Sequence, residues 1–537
     1  MHGGTAIGAS PIQFTDVTAQ TGIAFRHTDG HSGRYYIVES VSAGLALFDY
    51  DSDGDIDIYF LNGAPLDGAD TAQVFQNQLY RNDGQWRFTN VTKQAEVGDP
   101  GFGMGVAIGD YDNDGHADIY VNNFGRNVLY RNQGDGTFQD VTDQAGVANG
   151  DRVGAGACFL DIDGDGDLDL YVASYVQFTY ATHVKRTMRG YPVYAGPRDF
   201  QPEADTLYIN QGDGTFRDGS EESGIAAVRG PGMGMVCADY DNDGDTDIFV
   251  GNDAWPNFLF RNDGTGKFEE IGLRMGFAYD GLGAVRGTMG VEAGDVDNDG
   301  WIDLHVTAYQ DELATLYRNL NGSFLDDVTL RTGAGAGTQA DVSWGNCIAD
   351  FDNDGHRDLF IAFGHLHDQI DKIDNRHTYQ TRNRLIRNLG NGKFLDATDE
   401  AGDGLNLQLS SRGAAVDDLD NDGDLDIVVL NSRREPTLLR NESTQPHHWL
   451  GVQLRGTKTN RDGVGARVEV VAGNQRWVDE VHSGRGYQSH YGSRLHFGLG
   501  KNRTLQEVRV RWIGGETQTI RNVAVDQVIT VVEQPKP

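Results

Sequence analysis

Cysteine is nearly absent from this chain, proline is scarce, and no long apolar run occurs. The three cysteines, Cys158, Cys237 and Cys347, each stand in apolar sequence two or three residues before an acidic loop. Odd in number and so placed, they read as buried, unpaired thiols, which argues against a disulfide scaffold or a catalytic thiol. No apolar stretch reaches the roughly 18 residues that a membrane-spanning helix requires. The opening MHGGTAIGAS lacks the charged start and apolar middle of a signal peptide, so the expectation is a cytoplasmic chain or one whose export signal has been removed. Basic residues are also in short supply. There are 44 Lys and Arg against 80 Asp and Glu, a formal charge of −36 over 537 residues, which disfavours nucleic acid as a partner.

What the chain does have is glycine, 72 residues of it, and 10% aromatics. The glycines show no three-residue period, which excludes collagen. The composition suits many short strands joined by tight turns.

Two repeats organise the sequence. The first, F-x-D-V-T, begins at Phe14 and returns in variant form at Phe88, Phe138, Phe216, Phe268, Phe324 and Phe394. The second, D-x-D-x-D-G-x-x-D, occurs seven times. Its aspartates are Asp49, Asp51, Asp53 and Asp57; Asp110, Asp112, Asp114 and Asp118; Asp161, Asp163, Asp165 and Asp169; Asp239, Asp241, Asp243 and Asp247; Asp295, Asp297, Asp299 and Asp303; Asp350, Asp352, Asp354 and Asp358; and Asp418, Asp420, Asp422 and Asp426. Carboxylates at positions one, three, five and nine, a carbonyl at seven and a turn glycine at six make an oxygen cage for a hard cation. Calcium fits better than magnesium, which keeps its waters. An EF-hand would carry Glu at position twelve before a helix. Here position twelve of the first loop is Phe60, and alternating strand sequence follows.

A glycine stands five residues before each loop, at Gly44, Gly105, Gly156, Gly234, Gly290, Gly345 and Gly413, which predicts seven strands converging on a crowded axis. Adding the L-Y-R-N strands and the F-x-D-V-T strands gives four strands per unit. The predicted fold is all-β, a seven-bladed propeller over 14–443 with an insertion at about 175–204. The last unit lacks its own F-x-D-V-T strand, so Phe14 to Thr18 is expected to supply it and close the ring. A small β-sandwich is expected over 447–533, as a module that caps or spaces the propeller.

The repeated loops resemble the FG-GAP or VCBS repeats of integrin α-chain propellers. NRDGVGARVEV and SGRGYQSHYGSRLHFGLG are similar to the ASPIC/UnbV domain, and the pair resembles the cartilage acidic protein family and its bacterial homologues. The resemblance implies a calcium-loaded propeller, usually secreted, with about seven structural Ca2+ sites. It also implies calcium loops on one face, so that connections before the first and after the second strand of each unit emerge on the other. Ala195 stands where the family stretch often carries a cysteine, so the disulfide of an exported relative is missing.

On that opposite face, Ala43, Met104, Ala155, Met233, Met289, Trp344 and Arg412 form a ring expected at the axial mouth, with Glu39, Arg152, Arg286 and Asp341 further out. Arg and His in the insertion, in GHLHDQ and in SRREP add positive charge. Such a surface would suit a partly apolar, anionic small molecule or a glycan, with Arg152, Trp344, Asp341, Met104, Met233, Met289 and His367 as ligand contacts. Glu39 is the candidate acid or base, with Arg412 and Arg286 near it and His27, His365 and His367 as proton carriers. No nucleophile elbow, Walker loop, zinc signature or dinucleotide fingerprint occurs. Two readings follow: a calcium-stiffened binding protein, with a protein partner left open, or a cofactor-free cyclase, isomerase or lyase. A purely adhesive spacer is a third class, and it predicts no concentrated pocket.

Overall fold

The computed structural model describes residues 10–71, 73–514 and 517–534. The opening MHGGTAIGAS, apart from its last residue, lies outside them. Seven four-stranded antiparallel sheets occupy the first 441 residues. Their first strands, Leu45–Phe48, Phe102–Gly109, Gly154–Leu160, Gly232–Ala238, Val291–Gly294, Ser343–Ala349 and Ser411–Asp417, touch one another in order, and the last touches the first. The result is a closed propeller ring with no free inner edge.

The ring closes through the N-terminus. Phe14–Asp16 pairs antiparallel with Thr437–Asn441, Phe14 opposite Asn441. The closing strand repeats the local chemistry of the others. In the second sheet, Asp140 Oδ1 accepts the Thr142 amide at 3.0 Å and Thr142 Oγ1 accepts the Leu129 amide at 2.8 Å. At the closure Asp16 Oδ1 accepts the Thr18 amide at 3.0 Å, and Thr18 Oγ1 accepts the Leu438 amide at 2.9 Å. The aspartate thus forms a turn that aims the hydroxyl at an otherwise unpaired strand amide. The copy at Phe324, in the fifth sheet, departs from the sequence pattern. Its extra aspartate shifts the register so that Leu325 pairs with Asn319 and is buried, while Phe324 is left 42% exposed.

The L-Y-R-N asparagine ties neighbouring sheets together. Asn132 Nδ2 donates to the Ala117 carbonyl of its own loop and to the Tyr50 carbonyl of the preceding one. Asn82 does the same with Ile56 and, across the closure, with Leu419. Buried amides satisfied in this way fix the loop positions.

The C-terminal part holds a three-stranded sheet of Arg494–Gly500, His448–Arg455 and Gln527–Val532. A four-stranded sheet of Gln475–Glu480, Arg467–Ala472, Glu507–Arg511 and Thr517–Arg521 accompanies it. It lies over the acidic loops: Asp462 accepts the Asp110 amide at 2.7 Å, Glu480 the Asp239 amide at 3.0 Å, and Trp477 Nε1 donates to the Gly355 carbonyl at 3.0 Å. From it, residues 482–492 enter the ring and run along the axis. His490 exchanges main-chain hydrogen bonds with Leu45 and Leu47, both 2.9 Å, and Gly486 pairs with Val291. The crowded axis expected from the glycines is therefore crowded by this segment as well as by strands. A Cβ on Gly44 would lie 1.7 Å from the Gln488 carbonyl oxygen, and one on Gly105 would lie 2.0 Å from that of Ala155.

All three cysteines are buried and free. Phe14 is fully buried and meets Phe351 edge-on at 5.4 Å. Phe14→Ala is expected to destabilise the protein by about 3–5 kcal/mol, seen as a lower denaturation midpoint, whereas Leu282→Ala, at an 83% exposed position, leaves it unchanged.

Candidate functional site

The acidic loops bring their carboxylates together as the spacing predicts. The groups Asp49–Asp51–Asp53, Asp110–Asp112–Asp118, Asp161–Asp163–Asp169, Asp239–Asp241–Asp247 and Asp295–Asp297–Asp299 each offer oxygens within 4.8 Å of one another, and two further groups do the same. Asp112, Asp241, Asp352 and Asp420, all at position three, keep buried oxygens with no hydrogen-bond partner. Unsatisfied carboxylate oxygens facing others are the donor set a hard cation needs, so the cages fit a metal.

Position one braces the turn: Asp49 Oδ1 and Oδ2 accept the Asp53 and Gly54 amides at 3.1 and 3.0 Å. Position nine braces the sheet, since Asp57 accepts the Tyr50 and Asn82 amides at 3.0 and 2.7 Å. Burial pushes Asp57 and Asp110 up to about 8 and Asp418 to about 7 when no cation is bound.

The opposite face differs from the sequence expectation. The axial mouth is not open. Met104, Met233, Met289 and Trp344 are buried, at 0–2% exposure, in one apolar cluster with Tyr36, Ile37, Val38, Val41 and Tyr487. The short helix Ile37–Ser40 roofs the axis, while Tyr487 rises from the threaded segment, donates to the Val41 carbonyl at 2.5 Å and stacks edge-on against Trp344 at 5.3 Å. Ala43 and Ala155 are likewise fully buried.

The outer residues do not converge on Glu39. Arg152 donates to Thr206 Oγ1 at 2.7 Å and to the Ala204 carbonyl, Arg286 pairs with Asp280, and Asp341 accepts from Thr381 at 3.1 Å. Insertion arginines are also committed: Arg186 to Asp199, Arg189 to the Ile373 carbonyl and Arg198 to that of Ala254. Long cationic side chains in an acidic protein find local acids and carbonyls first.

What surrounds Glu39 comes from its own segment, the insertion and the seventh sheet. Its carboxylate accepts from Ser32 Oγ at 2.5 Å and the Tyr36 amide at 3.2 Å, lies 3.5 Å from His31 Nδ1, and accepts from Tyr194 Oη at 3.4 Å. Beside it Arg433 reaches Asp29 at 2.5 Å, Asp368 at 3.1 Å, Tyr194 Oη at 3.1 Å and His31 at 3.2 Å. His367 stacks on Tyr194 at 5.8 Å. His27 lies behind, 3.2 Å from the Arg433 amide and 3.4 Å from Ser42 Oγ. His365 bonds to Gln310 at 2.5 Å and accepts the His367 amide.

Burial alone would raise the Glu39 carboxyl, but the hydrogen bonds from His31, Ser32 and the Tyr36 amide outweigh it, and its pKa lies below the ordinary value. Conversely, the bond to Glu39 raises the His31 imidazole above the usual histidine range against partial burial. Burial pushes His27, His365 and His367 down, to about 3, 2 and 4. These three are neutral at physiological pH and poor proton carriers. His31, with 46% of its side chain exposed, is the histidine suited to that task, and sequence reasoning passed over it. The signal was the eight-residue spacing to Glu39 within HSGRYYIVES.

Arg412 is the exception among the arginines. It is 2% exposed, donates to the Ser40 and Ser411 carbonyls at 3.2 and 2.8 Å and to Ser410 Oγ at 3.0 Å, and lies over the Trp344 ring at 4.1 Å. Among the described residues no carboxylate pairs with it.

Two outcomes follow from these geometries. Excess chelator should lower the melting temperature, and by more at pH 8 than at pH 6. Cage carboxylates with raised native pKa values stabilise the metal-free fold below the unfolded value and lose that contribution as pH rises through about 8; a melt indifferent to chelator contradicts this. Glu39→Gln should move the His31 titration, followed by NMR, toward lower pH, because the partner that favours imidazolium is gone.

The chain matches the FG-GAP-like repeat over residues 49–121, 117–172, 193–250, 239–306, 295–361 and 350–429, and ASPIC and UnbV over 456–537. It is 25% identical to human cartilage acidic protein 1 over 91% of this chain and 71% of that protein. It is 26% identical to the mouse protein over 91% and 73%. Among solved structures it is similar to an Agrocybe aegerita lectin that recognises non-reducing terminal N-acetylglucosamine. Identity is 17% and the TM-score 0.38, over 67% of this chain and 82% of that one. With repeats covering most of the ring and the second match falling on the module that threads it, the chain belongs to the FG-GAP-like repeat family and carries an ASPIC and UnbV module.

Proposed function

We propose that this is a calcium-stabilised propeller binding protein that takes an anionic small molecule or glycan on the face away from the acidic loops. The observation that carries the reading is Arg412. A guanidinium removed from water without a carboxylate partner costs several kcal/mol unless a charge is supplied to it, and here Ser40, Ser410 and Ser411 supply only dipoles. The rim above is polar and partly exposed, formed by His31, Tyr35, Arg433 and Asp368 over Asp29 and Glu39. Calcium is the cation we assign to the cages, about seven of them, because all-oxygen, carboxylate-rich donor sets suit a large, hard ion. We read the working unit as both modules, 14–443 and 447–533 with the insertion at 175–204, since the second fills the axis of the first.

One observation favours a second reading. The Glu39–His31 pair, with a carboxylate held ionised and an exposed imidazole above it, is the arrangement of an oriented acid or base. In a cofactor-free cyclase, isomerase or lyase His31 would move the proton and Glu39 would position it.

Calcium-loaded protein incubated with small-molecule extract and analysed by mass spectrometry separates the two. A compound retained unchanged, with its stabilisation of the melt weakened about 30-fold or more in affinity by Arg412→Ala and untouched by Arg503→Ala in the second module, supports binding. Conversion by the wild type alone, lost in Glu39→Gln, supports the enzyme. Equal effects of both arginine substitutions would leave only surface charge and sink the binding reading.

A further inference from the structure

The seven cages are not equivalent. Position four is asparagine in five of them, and each asparagine reaches forward to the next loop. Asn113 Nδ2 donates to the Gly166 carbonyl at 3.1 Å, Asn242 to Gly300 at 3.4 Å, Asn298 to Gly355 at 2.8 Å, Asn353 to Gly423 at 3.0 Å, and Asn421 to Asp55 Oδ1 at 2.6 Å. The first loop carries Ser52 at that position and the third carries Gly164, so the seams from loop one to loop two and from loop three to loop four lack the bridge.

At the first of these seams the ring and the C-terminal module stand apart around a cleft of about 710 Å³. Its propeller wall is Asp49, Ser52, Asp53 and Gly54 of the first loop with Gly115 of the second. Its other wall includes Trp449, Arg455 and Arg461 beside two carboxylates already engaged, Asp462 by the Asp110 amide and Asp526 by His448. At positions one and three the first cage is also more open than loops two and four: Asp49 is half-buried and Asp51 exposed, whereas Asp110 and Asp239 are buried and Asp112 and Asp241 half-buried; position five is exposed in all three. Elsewhere the module covers a cage with its own side chain, as Arg511 does at Asp239; Arg494, which also lines this cleft, is held by Asp417 and the Asp418 carbonyl. Arg455 and Arg461 line the cleft with, among the described residues, no ion pair of their own.

We propose that this cleft is a second ligand site, for a uronate: a sugar bearing one carboxylate and adjacent hydroxyls. Two anion-seeking arginines pair with the carboxylate, and the Trp449 ring on the same wall packs against the sugar's C–H face. Asp49, Asp51, Asp53 and Asp57 would hold the cation of the first cage, and a hard ion with roughly six to eight oxygen positions to fill would take ligand hydroxyls where it otherwise takes water. The first cage then recruits ligand as well as bracing a turn, which the bridged and covered cages have no room to do. Arg412 and Glu39 lie on the other face and take no part in this site.

The test uses the calcium-loaded full chain, with D-glucuronate as probe and D-glucose as its uncharged counterpart, followed by saturation-transfer NMR and calorimetry. Glucuronate is expected to bind and glucose to bind at least about tenfold more weakly. The double variant Arg455→Ala, Arg461→Ala should lose about tenfold or more in affinity for glucuronate, at an unchanged melting temperature. Asp53→Asn should weaken it as well, and Arg412→Ala should have no effect. No preference for glucuronate over glucose, or equal affinity in the double arginine variant, overturns the proposal. A loss confined to Arg412→Ala also overturns it and moves the ligand to the opposite face.

Discussion

The structure depends on one segment that does not belong to the ring. Residues 482–492 leave the C-terminal module and use main-chain hydrogen bonds to His490, Gln488 and Gly486 to satisfy inner-strand amides that would otherwise face a channel. Backbone groups lining a narrow axis must be paired or hydrated, and a threaded segment pairs them without admitting water. Glycine is what makes this possible. Gly484 has φ +81°, and a Cβ on it would stand 1.9 Å from the Ala157 carbonyl oxygen. The SGRG stretch is therefore a requirement of the propeller, and the two modules are one folding problem.

Threading also explains where chemistry can occur. The sequence placed a ring of Met, Trp and Arg at an open mouth, and the ring exists, but Tyr487 and the helix Ile37–Ser40 seal it from both sides. Ligand chemistry is displaced to the rim, where the segment before the first sheet, the insertion and the connection after the seventh sheet meet around Arg433. It is displaced also to the seam where the acidic loops and the C-terminal module fail to touch.

Legibility follows the range of the interaction involved. The cages, the inner glycines and the closing strand could be read because each is a short-range requirement repeated seven times, and repetition distinguishes a constraint from an accident. The copy at Phe324 was misread by one residue because FLDDVT holds an extra aspartate, and only pairing with Asn319 shows which residue is buried. The asparagine of L-Y-R-N was visible as a strand ending, but its bonds to two loops were not, since one partner belongs to another repeat. Glu39 was picked for its position and its partners were mistaken: Arg152, Arg286 and Arg412 are drawn away by Thr206, Asp280 and Trp344, and His31, Tyr194 and Arg433 take their place. Pairings that occur once, between segments hundreds of residues apart, leave no periodic trace.

Two buried arginines at different levels of the axis supply an internal comparison. Arg485 lies over the Tyr491 ring at 4.8 Å and Arg412 over Trp344 at 4.1 Å, so both gain the attraction of an aromatic face. Arg485 is neutralised within the fold: it meets Glu292 at 2.5 Å, and Glu292 accepts in turn from Tyr491. Arg412 has the same stacking and the same burial but no acid. A fold that supplies a counter-charge to one axial arginine is able to do so for the other, and an aromatic face returns only about 2 kcal/mol of the cost of burying a cation. Burial does not separate the two positions, since Arg412 is 2% and Arg485 6% exposed. The difference is the partner set: Arg485 has the Glu292 carboxylate, whereas Arg412 has only the Ser40 and Ser411 carbonyls and the Ser410 hydroxyl. Arg412 is thus the axial cation whose charge the fold leaves unmatched, beneath the helix Ile37–Ser40 and next to the Arg433 rim.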